Sequence, residues 1–147
     1  MSNKELPYTY IIRSDNKLSG AGNDFYIELE KPRIENNLFK LVFQGVYIPT
    51  NPTYDYPYFC EVRASFNGTG AYTYDTRTKG SSSTIGFGIV DFNSQNVYNL
   101  LPMETIINFS SAMNLHIQLY DFEGNVFFDE NNASPSNVII VFNLIPL

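Results

Sequence analysis

Leu115-His116-Ile117-Gln118-Leu119-Tyr120-Asp121-Phe122-Glu123-Gly124-Asn125, followed after an interval by Val138-Ile139-Ile140-Val141-Phe142, is the stretch whose reading decides the fold. Successive side chains of a strand leave opposite faces, so Leu115, Ile117 and Leu119 share one face and Asn114, His116, Gln118 and Tyr120 the other. That is a half-buried strand. It stops at Asp121 to Asn125, where Gly124 and Asn125 tolerate the positive φ of a tight turn. Met113 to Leu147 therefore reads as a terminal hairpin. Its return strand, Val138 to Phe142, is β-branched and aromatic with little polarity on either side, a composition that wants cover on both faces. An apolar strand at a sheet edge invites pairing with other molecules, so this one is expected inside a sheet.

The rest of the chain supplies strands to surround it. Tyr8, Tyr10 and Ile12 alternate with Thr9, Ile11 and Arg13 in a first strand ending at Ser14-Asp15-Asn16. Phe25, Ile27 and Leu29 alternate with Tyr26, Glu28 and Glu30, and Lys31-Pro32 ends that strand because proline has no donor. In Leu38 to Ile48, Phe39, Leu41 and Phe43 face one way and Val42, Val46 and Ile48 the other, which implies burial on both faces. Gly45 within it signals a bulge or a close backbone approach. Tyr58, Cys60, Val62, Ala64 and Phe66 share one face of the next strand, with Glu61, Arg63 and Ser65 opposite. Ile85, Phe87 and Ile89 alternate with Gly86 and Gly88, leaving one face open to close packing.

Three segments read less regularly. Tyr72 to Thr76 suits a short strand, Lys79-Gly80-Ser81-Ser82-Ser83 reads as a mobile loop, and Val97, Leu100 and Leu101 before Pro102 suggest one or two helical turns between Asn93 and Leu101. Thr105, Ile107 and Phe109 then resume strand alternation. About eight strands at this spacing indicate an all-β sandwich or barrel.

At 147 residues the chain is expected to form one domain, residues 8–147, behind an arm at 1–7. Only 16% of residues are charged, against about a quarter in typical soluble domains, so Asn, Ser and Thr must carry solubility. The net charge of −6 disfavours the phosphate neutralisation behind non-specific nucleic-acid binding. A lone cysteine, Cys60, forms no internal disulfide. No leader pattern is visible before the first strand and no apolar run approaches a membrane span, so synthesis in the cytoplasm is expected.

No catalytic constellation is legible, and the chain reads as a non-enzyme without cofactor or metal. The single histidine, His116, lies on the polar face of its strand, whereas Cys60 lies on the apolar face of another, so no nucleophile–base pair forms between them. One Cys and one His do not make a zinc site. Asp121, Glu123, Asp129 and Glu130 cluster near one turn but lack the spacing of a calcium loop. The candidate contact residues are Tyr54, Tyr56 and Tyr58, on a stiff Pro-bounded loop from Pro49 to Pro57, because tyrosine brings large area with little entropy to lose. Lys79 and Ser81, in the loop read as mobile, are added to these contact residues.

Asn23-Asp24-Phe25-Tyr26-Ile27-Glu28-Leu29, with Leu41-Val42-Phe43-Gln44-Gly45-Val46-Tyr47-Ile48-Pro49, resembles the opening of single jelly-roll minor capsid and penton proteins of large icosahedral DNA viruses and their relatives. In that family an N-x-F-x-I-x-L strand precedes one ending in x-I-P. The closing segment quoted above is similar to the family's last hairpin. The resemblance implies an eight-stranded jelly-roll-like antiparallel β-sandwich. It also implies a structural virion protein, foremost the penton at fivefold vertices, with itself (as a cyclic pentamer) and other capsid proteins as partners. The alternative is a carbohydrate- or protein-binding β-sandwich module of a spike or fibre.

Overall fold

A computed structural model of the chain describes residues 7–48, 58–66, 74–77, 79–91, 96–99, 103–126 and 137–147. Strands alternate through them: β1 (Tyr8–Arg13), β2 (Ser19–Ala21), β3 (Asp24–Leu29), β4 (Leu38–Tyr47), β5 (Tyr58–Ala64), β6 (Tyr74–Asp75), β7 (Gly80–Ser81), β8 (Thr84–Asp91), β9 (Asn96–Asn99), β10 (Glu104–Asn108), β11 (Met113–Tyr120) and β12 (Ile139–Pro146). One sheet has the order β1-β12-β4-β10, a second β2-β3-β11-β5-β8-β9, and β6 pairs with β7 apart from both.

Neighbouring strands are antiparallel throughout. Among the eight longer strands β1, β3, β4, β5, β8, β10, β11 and β12, only the step from β5 to β8 stays within one sheet. Every other step crosses the sandwich, which is the double Greek-key winding of a jelly roll. The chain is an antiparallel, jelly-roll-like β-sandwich.

The terminal hairpin expected from the sequence does not form. β11 pairs with β3 and β5, while β12 lies between β1 and β4 in the opposite sheet. The turn at Asp121 is closed by a bridge between Tyr120 and Val126. Both strands have a single fully buried face, and each turns it into the core shared by the two sheets rather than pairing alongside the other. The interior position foreseen for the last strand holds all the same.

Burial on both faces of β4 is also overturned. Val141 opposes Gly45 and Phe142 opposes Phe43, so Gln44 is an extra residue and β4 bulges there. The bulge reverses the alternation. Phe39, Leu41 and Phe43 point inward before it and Val46 and Ile48 point inward after it, leaving Val42 half-buried on the outer face. β12 likewise buries Val138, Ile140, Phe142 and Leu144 while Ile139 and Val141 stay half-buried outside.

Asn96 to Asn99 is not helical: it forms β9 and pairs with β8 from Gly88 to Asp91. Asparagine and valine are weak helix formers, and the open edge of β8 offers them a ladder instead. The segment read as a mobile loop holds β7, whose Gly80 and Ser81 pair with Asp75 and Tyr74, and Ser82 beyond it is buried. At a second register shift, between Val62 and Arg63, Ile85 becomes the extra residue and joins the core. It thus leaves the face of Phe87 and Ile89, with which strict alternation grouped it.

The core lies between the sheets, with Phe25, Phe39, Phe109 and Phe142 among its largest fully buried side chains. Each such residue contributes about 1.5–3 kcal/mol. Close approach at Gly86 of β8 is real: the Phe43 ring occupies the space over it. The buried side chains of both sheets form one core cluster. Ligand-facing groups must be sought outside it. Among the described residues, no helix is long and apolar enough to cross a membrane.

Candidate functional site

The outward face of the six-stranded sheet carries the polar chemistry. Register places Asp24 of β3 beside Gln118 of β11, which stands beside Arg63 of β5, which in turn opposes Thr84 of β8. One row of the sheet thus joins residues distant in sequence. Gln118 Nε2 donates to Asp24 Oδ2 at 3.3 Å, and His116 Nε2 lies 2.5 Å from Asp24 Oδ1. Tyr26, directly across from His116, stacks on its imidazole with 4.3 Å between centroids. His116 is on the polar face of its strand, as alternation implies, and is braced there by Asp24 and Tyr26. Cys60 lies on the other face of this sheet, fully buried, so the two do not meet.

Farther along the sheet, the Glu61 carboxylate is only 6% exposed although it points away from the core. A buried carboxylate needs compensating donors. Arg63 Nε donates to Glu61 Oε2, and Thr84 Oγ1 donates to the same oxygen at 3.0 Å. With its proton so committed, Thr84 must accept from the Ser82 hydroxyl 2.6 Å away. Ser82 Oγ in turn accepts from the Thr84 backbone N–H at 3.1 Å. The hydroxyls form a directed chain ending on the carboxylate, and each bond polarises the next. The Arg63 guanidinium also lies 4.1 Å from the centroid of the Tyr120 ring.

Cover over Glu61 comes from two loops. The β6–β7 hairpin is tightened by the Arg77 backbone N–H, which donates to Asp75 Oδ1 at 2.8 Å. The turn after β11 is tightened by Asp121, whose Oδ1 accepts from the backbone N–H groups of Glu123 and Asn125, each at 2.9 Å. Asp121 therefore works as a brace within its loop. Arg77 ties the two loops together: its Nη2 donates to the Phe122 carbonyl at 2.7 Å. Its guanidinium rests against Gly124, whose φ of +88° and missing side chain leave the room.

Between these loops and the sheet is a cavity of about 530 Å³. Glu61, Ser82 and Thr84 are its buried polar lining, Phe59 and Phe87 its half-buried aromatic lining, and Tyr74, Arg77 and Phe122 its exposed mouth. The Phe59 and Phe87 rings lie 5.4 Å apart.

Of the contact residues expected from the sequence, Tyr54 and Tyr56 lie outside the described residues, as do the Pro49 to Pro57 loop and residues 1–6 of the arm. Tyr58 opens β5 opposite Val90. Ser81 pairs with Tyr74, and Lys79, exposed with a φ of +54°, leads into β7. Both belong to the hairpin beside the cavity, to whose lining this segment contributes Tyr74, Asp75, Thr76, Arg77 and Ser82. Asp129 and Glu130 of the acidic cluster lie outside the described residues. Alternation had already put Glu61 and Arg63 on a common outward face. Their cover by loops from residues 74–77 and 121–124 had no local signal.

Comparison of the chain with known protein families, with curated proteins and with solved structures finds no match.

Proposed function

We propose that the chain is a structural virion protein, a single jelly-roll capsid subunit that builds the penton at fivefold vertices. The observation that carries this reading is the winding itself, β1-β12-β4-β10 against β3-β11-β5-β8, an architecture used by viral capsid domains. The outer face of the four-stranded sheet adds support. Ile11 is 54% exposed and stands across from half-buried Val141, and Tyr47 is 40% exposed and stands across from half-buried Ile139. Apolar groups gathered on one outer face suit contact with a neighbouring copy. Five copies around an axis make heterologous contacts that close into a ring. Other capsid proteins would be further partners, and the virion its place.

Native mass across protein concentration and salt tests this directly. A closed five-membered ring that Ile11→Lys converts to monomer is the expected result. A strict monomer, alone and with other capsid proteins of the same particle, overturns the reading.

A second reading, a carbohydrate- or protein-binding module of a spike or fibre, is favoured by the cavity. Its mouth holds Tyr74 at 70% and Phe122 at 67% exposure, higher than any other large hydrophobic side chain among the described residues. Lectin domains use the same winding.

A further inference from the structure

We infer that the cavity between the β6–β7 hairpin and the Asp121–Asn125 turn is a subsite for a ring of a neutral glycan. This deepens the second reading above and rests on it.

Two exposed aromatic rings at one mouth are the first sign. A large apolar side chain left in water forgoes burial that a partner's apolar surface would recover. Tyr74 and Phe122 come from loops 48 positions apart in sequence (122 − 74), yet the Arg77–Phe122 hydrogen bond holds their loops together. The mouth is therefore preorganised, which lowers the ordering cost of binding.

The polar lining narrows the ligand class. Carboxylate, guanidinium and hydroxyl groups meet here in one space, in the persons of Glu61, Asp75, Arg77, Ser82 and Thr84. A sugar hydroxyl both donates and accepts, so this mixture matches a ring bearing several hydroxyls. The C–H face of a pyranose is apolar and flat enough to lie on an aromatic ring. A phosphate, sulfate or sialic acid fits poorly: the lining carboxylates Glu61 and Asp75 are matched by Arg77 and by Arg63, which is already committed to Glu61, so no surplus guanidinium faces an anion, in a chain of net charge −6. A wholly apolar ligand would meet the buried Glu61–Thr84–Ser82 chain and gain nothing from it. The volume of about 530 Å³ lies within the ~300–1,000 Å³ range of small-molecule sites.

The test is binding of the full chain to an array of neutral, N-acetylated and sialylated oligosaccharides, followed by titration of the best-bound member against variants. Tyr74→Ala and Phe122→Ala alter exposed side chains, so both are expected to fold with unchanged denaturation midpoints. Each should weaken binding about tenfold or more, as loss of an aromatic anchor does. Leu18→Ala, an exposed residue outside the cavity lining, should leave affinity as it was. Binding of a neutral member that survives Tyr74→Ala and Phe122→Ala overturns the site and leaves the module reading standing. Binding restricted to sialylated members overturns the ligand class. Binding of no array member overturns the site and the carbohydrate form of the second reading together, while the native-mass experiment decides the ring independently.

Discussion

The aromatic ring of Phe43 fills the space in which a side chain on Gly86 would begin. Phe43 belongs to the four-stranded sheet and Gly86 to the six-stranded one, so this contact sets how closely the sheets approach at that point. Gly86→Ala should destabilise the fold by about 1–3 kcal/mol, the usual cost of overpacking. Phe43→Leu in the same chain should recover part of that loss. Urea midpoints of the single and double variants check both, and additive losses would show that the two positions do not interact.

Cys60 should be inert in the folded state. Burial raises its thiol pKa far above the ordinary value, and the nearby negative charges of Glu61 and Asp121 raise it further. A thiol-reactive dye should label the native protein only at the rate at which it opens. The unfolded thiol ionises near pH 8.5 while the folded one stays protonated. The stabilising contribution is therefore complete below that pH and declines above it by about 1.4 kcal/mol per pH unit. Cys60→Ala should remove this slope, as measured by denaturation between pH 8 and pH 10.

Tyr10 stacks on Phe142, with centroids 5.5 Å apart, and its hydroxyl donates to the Glu30 carbonyl at 2.6 Å. Its pKa is pushed up to about 12, chiefly by burial, then by the charges of Glu30 and Tyr8. The unfolded phenol ionises near 10, so this contribution is intact below about pH 10 and lost as pH rises toward 12. Ultraviolet titration should show one phenol ionising after the exposed tyrosines. The late step should vanish in Tyr10→Phe.

Glu61 and Arg63 should prove strongly coupled. Glu61→Ala leaves Arg63 without its carboxylate and Thr84 without its acceptor. Removing one partner of such a buried pair costs about 3–5 kcal/mol. Much of that penalty is the unpaired charge, so Glu61→Ala should cost less in an Arg63→Met background. A double-mutant cycle with no coupling energy would contradict the directed hydrogen-bond chain.

The sequence made the strands legible because each buries one face, and period-2 alternation reports a single buried face well. β3 and β11 came through cleanly, with Phe25, Ile27 and Leu29 and then Leu115, Ile117 and Leu119 all buried. Alternation failed where the period was interrupted. Gly45 marks the bulge, but the inserted Gln44 carries Val46 and Ile48 to the same side as Phe43, so strict alternation reads one-sided burial as two-sided. The neighbour of a strand was legible only through the turn that follows it. A tight turn after β11 suggested a hairpin, while β12 had partners far upstream in β1 and β4.

The cavity was harder to see for a related reason. Thr84 reaches Glu61 across 23 positions and Arg77 reaches Phe122 across 45. Register and loop packing create those meetings, and no local pattern encodes them.

The central place of β12 also governs biosynthesis. Until Ile139 to Pro146 has left the ribosome, β1 has no partner in its sheet and β4 lacks its neighbour on one side. At about 5–20 residues per second, the early strands must wait several seconds with apolar edges uncovered. A nascent chain arrested before residue 139 would hold a nearly complete six-stranded sheet against a divided opposite layer. Such a species is a natural client for chaperones and a starting point for aggregation, and its release depends on the arrival of eight residues.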